Sequence, residues 1–302
     1  MTKHLLTLYT RTPLHVGCGT SVDVVDLPIM RERITGFPVI PGSSLKGVLL
    51  QAAREHFDGG THARSNDSLP EEARILFGSI EKVGGEHSSN AGCVQIMEAK
   101  LLAFPVRSLA GCFAWITCPA VLERFQRDTG ASFVVPSLLK DQAAVAAQSE
   151  LIIQGQDTIV LEEYAISAVK PAGHGEVADA LTGLVSDSLW TGKLVTRLAI
   201  IHDEDFQHFV STCTEVVARI VMNPATRTNG NLFNQENIPC EALFYSVLNV
   251  LVSRRKDGIS DPQALLKSLL SANPVLQIGG DETTGHGFCE ASCHDLPIQL
   301  ND

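Results

Sequence analysis

Two glycine-bearing runs hold side chains suited to meeting an anion. In GSSLKG (Gly42 to Gly47), a helix start would present free backbone N–H groups, the Ser43 and Ser44 hydroxyls and the Lys46 ammonium to a phosphate. The same residues also read as an ordinary helix capped by Ser43 or Ser44. Gly47 lies inside the first turns, where glycine costs about 1 kcal/mol relative to alanine, so it needs a reason, which close approach of another backbone would supply. In GGDETTGHG, four glycines in nine residues (Gly279, Gly280, Gly285, Gly287) separate two strand-like segments. Their amides can form a nest for phosphate, or the run can be a flexible hairpin. Metal-ligand types gather at His286, Cys289, Cys293 and His294. Four such residues along one extended segment do not make a tetrahedral zinc site, so buried thiols are expected instead.

The elements around these runs follow from periodicity. Leu5 to Thr10 alternates as an opening strand, and Leu45, Val48, Leu49, Ala52, Ala53 and Phe57 recur at helical spacing over 43–57. Residues 59–90 read as surface loops broken by a short helix in PEEARILFG. Strands are expected over Gly92 to Ala99 and Cys112 to Cys118, with a helix from Pro119 to Asp128. Beyond these, the pattern predicts a strand over Thr158 to Val169, helices over Glu176 to Leu189 and Asp203 to Val221, and a strand over Lys193 to Ile201. Neither a dinucleotide fingerprint nor a P-loop occurs, and an α+β arrangement with a sheet against helices fits best.

The chain has 302 residues, 23 Lys+Arg and 34 Asp+Glu, and a formal charge of minus 11. That balance argues against coating a polyanion over the whole surface. The acid is local, however. Residues 140–190 contribute minus 6 and residues 261–302 minus 5, so the remainder is neutral. A basic track is therefore sought in residues 1–60 and around Arg219, Arg227, Arg254, Arg255 and Lys256. With 44% hydrophobic residues there is ample material for a core. The longest apolar run, Ala242 to Val252, is too short to span a bilayer. The opening segment lacks the features of a secretion signal, and eight cysteines without a C-x-x-C pair suit a reducing compartment, so a cytoplasmic protein is expected.

The run His15-Val16-Gly17, then VVDLPIMRER, TGFPVIPGSSLKGVL, LFGS and LQIGGDETTGHGF, in this order over residues 15–288, resembles the RAMP superfamily. More narrowly, it resembles the backbone subunits of type III-B (Cmr) CRISPR effector complexes. The resemblance implies a single domain over 1–302, a ferredoxin-like (RRM-like) palm with insertions and a protruding thumb hairpin. The thumb is expected near 223–240, with Asn229-Gly230 as its turn, and a loop in 130–157 is the alternative. It implies copies arranged head to tail along a CRISPR guide RNA, with other effector subunits, a single-stranded target RNA and no membrane. Gripping without reading sequence calls for phosphate and 2′-OH contacts.

The resemblance places the catalytic carboxylate at Asp26, which would bind a divalent ion (Mg or Mn) or orient a 2′-hydroxyl for in-line attack. It implies further catalytic roles for His15, Glu241 and Tyr245. His15 reads as well as a strand-end structural residue, and core packing accounts nearly as well for Tyr245. RNA contacts are implied for Gly17, Ser43, Ser44, Lys46, Arg54, Gly279, Gly280, Thr284, Gly285, His286 and Gly287. His286 stands where relatives favour a basic residue, and Asp23 adds a second carboxylate before Asp26. The implied activity is regularly spaced, metal-dependent cleavage of target RNA. A non-catalytic guide-binding scaffold, a metal-independent guide-processing RNase using His15, and an unrelated metabolic enzyme are the alternatives. The acidic segments are expected to lie away from the RNA track.

Overall fold

A computed structural model describes the chain except residues 21–24, 59–68, 84–85, 223–228, 253–260 and 297–302. The first half contains β1 (Thr2–Thr10), β2 (Val39–Ile40), α1 (Gly42–Phe57), α2 (Glu71–Phe77), β3 (Gly78–Val83), β4 (Glu86–Ala91), β5 (Val94–Ile96), β6 (Ala99–Arg107), β7 (Phe113–Thr117), α3 (Pro119–Thr129) and β8 (Gln142–Ala144). The second contains β9 (Thr158–Leu161), β10 (Tyr164–Val169), α4 (His174–Thr182), α5 (Ser188–Arg197), β11 (Leu198–Ile201), α6 (Asp203–Thr212), β12 (Glu215–Met222), β13 (Asn229–Asn237), β14 (Leu243–Val250), α7 (Pro262–Ala272), β15 (Val275–Gln277) and β16 (Phe288–Leu296).

At the centre, β16, β1, β14 and β6 are neighbours in that order and all antiparallel. Renumbered within the palm this is order 4-1-3-2, with α1 and α7 as the two crossover helices packed on each other, which is the ferredoxin-like pattern expected. The second half of β6 pairs with β7, and the sheet continues through β11, β8, β10 and β9. Residues 5–10 of β1 are buried on both faces. Tyr9 points at Trp190 of α5, and the Thr7 hydroxyl donates to Leu184 O, so α5 and the segment before it cover the face opposite α1 and α7.

Several expectations are corrected. The helix foreseen over Asp203 to Val221 stops at Thr212, and EVVARIVM forms β12 because it pairs along its length with β13. The strand foreseen from Lys193 begins only at Leu198, since α5 runs to Arg197. The helix foreseen over Glu176 to Leu189 is two helices. α4 ends at Thr182, and Asp187 caps α5 by accepting from Leu189 N and Trp190 N. Thr158 to Val169 is a hairpin, turning at Glu162 with φ 51°. Within 59–90, β3 and β4 form another hairpin. The residue before α1 is Pro41, and neither Ser43 nor Ser44 makes a capping bond. Among the described residues a Cβ on Gly47 would meet no other segment within 4 Å, whereas one on Gly42 would lie 2.6 Å from Ile96 O. The α1 glycine that meets another backbone is therefore Gly42.

Candidate functional site

The site is built on the base of the β12–β13 arm. Leu14 exchanges two backbone hydrogen bonds with Ile238, and Leu27 forms a parallel bridge to Gln235, so the segments on either side of Asp26 and His15 dock along one strand edge. Asp26 is exposed, and its Oδ2 accepts the backbone N–H of Asn234 at 2.7 Å. The ring Nδ1 of His15 lies 2.7 Å from Glu236 O. A carbonyl can only accept, so Nδ1 carries the proton and Nε2 keeps the lone pair in the neutral ring. Asn234 and Glu236 are two positions apart on one strand, about 7 Å, which puts Asp26 and His15 on a common edge. Asp23 lies outside the described residues.

The glycine-rich loop closes over His15. Gly280 N donates to His15 O, and Gly287 N donates to Pro13 O. A Cβ on Gly279 would sit 2.2 Å from His15 O, and one on Gly287 2.0 Å from Ile278 O, and both residues have positive φ. A Cβ on Gly17 would meet His15 Nε2 at 2.7 Å. Gly279 and Gly287 are thus required by close approach of another backbone. The amides of Thr284, Gly285 and His286 donate to Asp281 O or Glu282 O, so those a phosphate nest would use are committed within the fold. Five of the loop's amides, those of Gly280, Thr284, Gly285, His286 and Gly287, are thus tied to carbonyls of the fold.

Asp281, from the acidic C-terminal segment, lies in the site rather than away from it. Its Oδ2 accepts from Gln235 Nε2 at 2.6 Å and pairs with Arg219 at 3.2 Å. Arg219 also donates to His286 Nε2, whose Nδ1 faces the Thr284 hydroxyl. The expected basic contribution of Arg219 is therefore locally neutralised. Arg227, Arg254, Arg255 and Lys256 lie outside the described residues.

Glu241 and Tyr245 are not brought to Asp26. Glu241, at φ 71°, accepts from the Tyr9 hydroxyl, and burial raises its carboxyl above the ordinary range. Tyr245 is 1% exposed, packs edge-on to Phe125 and donates to Asp128 at 3.0 Å, and burial raises its phenol too. The buried polar run Gln235, Glu236 and Asn237, with Arg31, stands at the site instead. Sequence reasoning passed over it. The signal was four consecutive polar residues (Asn234 to Asn237) set between the apolar Leu232-Phe233 and Ile238.

Lys46 and Arg54 line a separate cleft of about 500 Å³ on α1, with Leu50, Ser79 and Asn90. Ser43 is exposed at the start of that helix. Among the described residues no grouping of three His, Cys, Asp or Glu is arranged for a metal ion. Burial pushes the Cys289 thiol up to about 12 and Cys293 up to about 11, as expected of core thiols. Among the described residues no helix is long and apolar enough to cross a membrane.

Residues 7–290 match the family model of the RAMP superfamily. The Pyrococcus furiosus protein named CRISPR system Cmr endoribonuclease Cmr4 is 35% identical over 98% of this chain and 97% of its own length. The Saccharolobus solfataricus CMR subunit Cmr4 is 24% identical, covering 92% of each chain. The crystal structure of oligomeric Cmr4 from Pyrococcus furiosus superposes with a TM-score of 0.74 at 33% identity, covering 98% of this chain and 100% of the other. A subunit in the type III-B Cmr-beta structure bound to cognate target RNA shares the fold at a TM-score of 0.69 and 19% identity.

Proposed function

Because this chain belongs to the RAMP superfamily, we propose that it is the guide-RNA-binding backbone subunit of a type III-B CRISPR effector complex and that it cleaves complementary target RNA at regular intervals. Its partners are the guide, the single-stranded target, further copies of itself head to tail and other effector subunits. The β12–β13 arm is the thumb of this reading. The Lys46–Arg54 cleft supplies cations for the guide backbone, where contacts carry register rather than sequence information.

The observation that carries the catalytic part is the exposed Asp26 carboxylate, oriented by the Asn234 N–H on the strand edge that also holds His15. Asp26 orients the 2′-hydroxyl of the nucleotide at the cut, and His15 Nε2, with its lone pair free of the proton on Nδ1, takes the hydroxyl proton. The 2′-oxygen then attacks the adjacent phosphorus in line, the bond from phosphorus to the 5′-oxygen breaks, and the 5′-oxygen takes a proton from water, giving a cyclic phosphate and a 5′-hydroxyl end. One carboxylate is a fitting donor for a hard cation that draws its other ligands from RNA phosphate and water. A divalent ion, Mg or Mn, held by Asp26 would supply charge neutralisation at that phosphate.

The test is cleavage of a complementary RNA by the guide-loaded complex. Asp26→Ala is expected to abolish regularly spaced products while guide binding and assembly persist, and surviving products overturn the assignment. Loss of cleavage in EDTA supports the divalent ion, whereas full activity in EDTA leaves His15 and the 2′-hydroxyl to act alone.

A further inference from the structure

One ion pair, between the half-buried Arg31 and the buried Glu236, joins the Asp26 loop to the β12–β13 arm. Arg31 donates from Nη1 to Gly36 O at 2.9 Å and to Val210 O at 3.0 Å, and from Nη2 to Glu236. Glu236 is 7% exposed, yet both carboxylate oxygens are engaged: Oε1 also accepts from the Thr214 hydroxyl at 2.8 Å, and Oε2 accepts from Ile29 N at 3.0 Å. Its backbone adds two more ties, N–H to Leu27 O and carbonyl to His15 Nδ1. Glu236 therefore touches the chain after Asp26 at two points, the ring of His15, the entry to the arm at Thr214 and, through Arg31, the end of α6.

A largely buried pair of this kind is weak evidence for stability, because apolar residues of similar volume often do as well. What the planar guanidinium and a fully engaged carboxylate provide is fixed geometry. The outer part of the same loop has its own anchors. Arg124 holds Glu32 through two hydrogen bonds, and Gln207 donates to Thr35 O. Loss of the Arg31–Glu236 pair would leave the loop attached there and through the backbone bonds of Leu27 to β13, while removing the side-chain tie that fixes how the stretch after Asp26 sits against the arm.

We propose that Arg31 and Glu236 are positioning residues that hold the Asp26 loop in register with the arm, so that Asp26 and His15 address a single phosphodiester. This rests on the cleavage reading above. A reacting group displaced by about 1 Å loses on the order of 10²-fold in rate even when substrate binding is intact.

Glu236→Gln retains the volume but cannot offer acceptors to both Arg31 and Ile29, and Arg31→Lys retains the charge but loses the fork. In the guide-loaded complex each is expected to lower kcat roughly 10- to 100-fold at unchanged target KM and unchanged assembly. The remaining cuts should spread onto neighbouring phosphodiesters. The double variant should be little worse than either single one, because the pair acts as a unit. Wild-type rate and register in both variants overturn the proposal, as does a raised KM at unchanged kcat. Failure of both variants to assemble on guide also overturns it, since the pair would then be structural only. Asp26→Ala, run alongside, separates the two claims. If it still cuts, the cleavage reading fails. If it is inactive while Glu236→Gln is wild type, only the positioning claim fails.

Discussion

β13 and β14 are consecutive strands with opposite uses of their polar residues. β14 sits between β1 and β6 with all eight residues buried, and Tyr245 and the nearby Glu241 are each settled by one core partner: Tyr245 by Asp128, Glu241 by Tyr9. β13 leaves the sheet with β12 as its partner, exposing Ile220 at 53% and Leu232 at 64% along the arm. At its base it turns Asn234, Gln235 and Glu236 toward three segments distant in sequence, around Asp26, Thr214 and Asp281. A buried polar side chain with one local partner completes a core, whereas a run of them that ties separate loops together builds a site.

The sharpest way to break this contrast is to compare chemistry on the two strands. Asp26→Ala is expected to lose roughly 10³-fold in cleavage rate, while Glu241→Gln and Tyr245→Phe stay within about threefold under the same assay. A Tyr245→Phe complex as inactive as Asp26→Ala would place β14 in the site. Next in size is Gly287→Ala. A Cβ 2.0 Å from Ile278 O at positive φ should destabilise the chain by about 2–4 kcal/mol in chemical denaturation. Tyr245→Phe, which removes one buried hydrogen bond to Asp128, should cost about 1 kcal/mol in the same measurement. Gly47→Ala, where among the described residues a Cβ would meet no other segment within 4 Å, should instead stabilise by about 0.5–1 kcal/mol.

The smallest effect expected is in pH dependence. Burial raises the Glu241 carboxyl above its unfolded value of 4.5, so the folded state binds this proton more tightly. Stability from this group is present at low pH and declines as pH rises from 4.5 through the raised value, and Glu241→Gln should flatten that part of the curve. Glu150 has the opposite sign. Lys193 and Arg197 lower it to about 2, so its contribution is lost as pH falls from 4.5 toward 2. Denaturant midpoints measured across both ranges, with and without each substitution, check the two signs.

Part of the fold was legible in local pattern, while the palm elements β6, β14 and α7 were not foreseen. The helical spacing behind Pro41 produced α1, Pro119 opened α3 and alternation marked β1. The misreadings share a cause. EVVARIVM carries enough apolar residues to satisfy either period, and only the distant β13 makes it a strand. Asn229-Gly230 has the composition of a hairpin turn but lies within β13, paired from Asn229 to Met222, and the connection at 223–228 is outside the described residues. Gly47 announced a close contact that belongs to Gly42, because a glycine costs a helix the same whether or not something lies against it.

For the site, composition and order determined which residues bear reactive groups: the Asp26 carboxylate, the His15 ring, the glycines at 279, 280, 285 and 287, and the placement of the acid in two segments. Those are properties of side-chain chemistry and local backbone freedom, which need no neighbours. Which of them meet was decided by the tertiary structure alone. Glu236 reaches Arg31, 205 positions away in sequence, and Asp281 reaches Gln235, while Glu241 and Tyr245 face the core. The physical reason is that a buried polar atom must find its partner through the packing of whole strands and helices, and no local period encodes which distant segment supplies it.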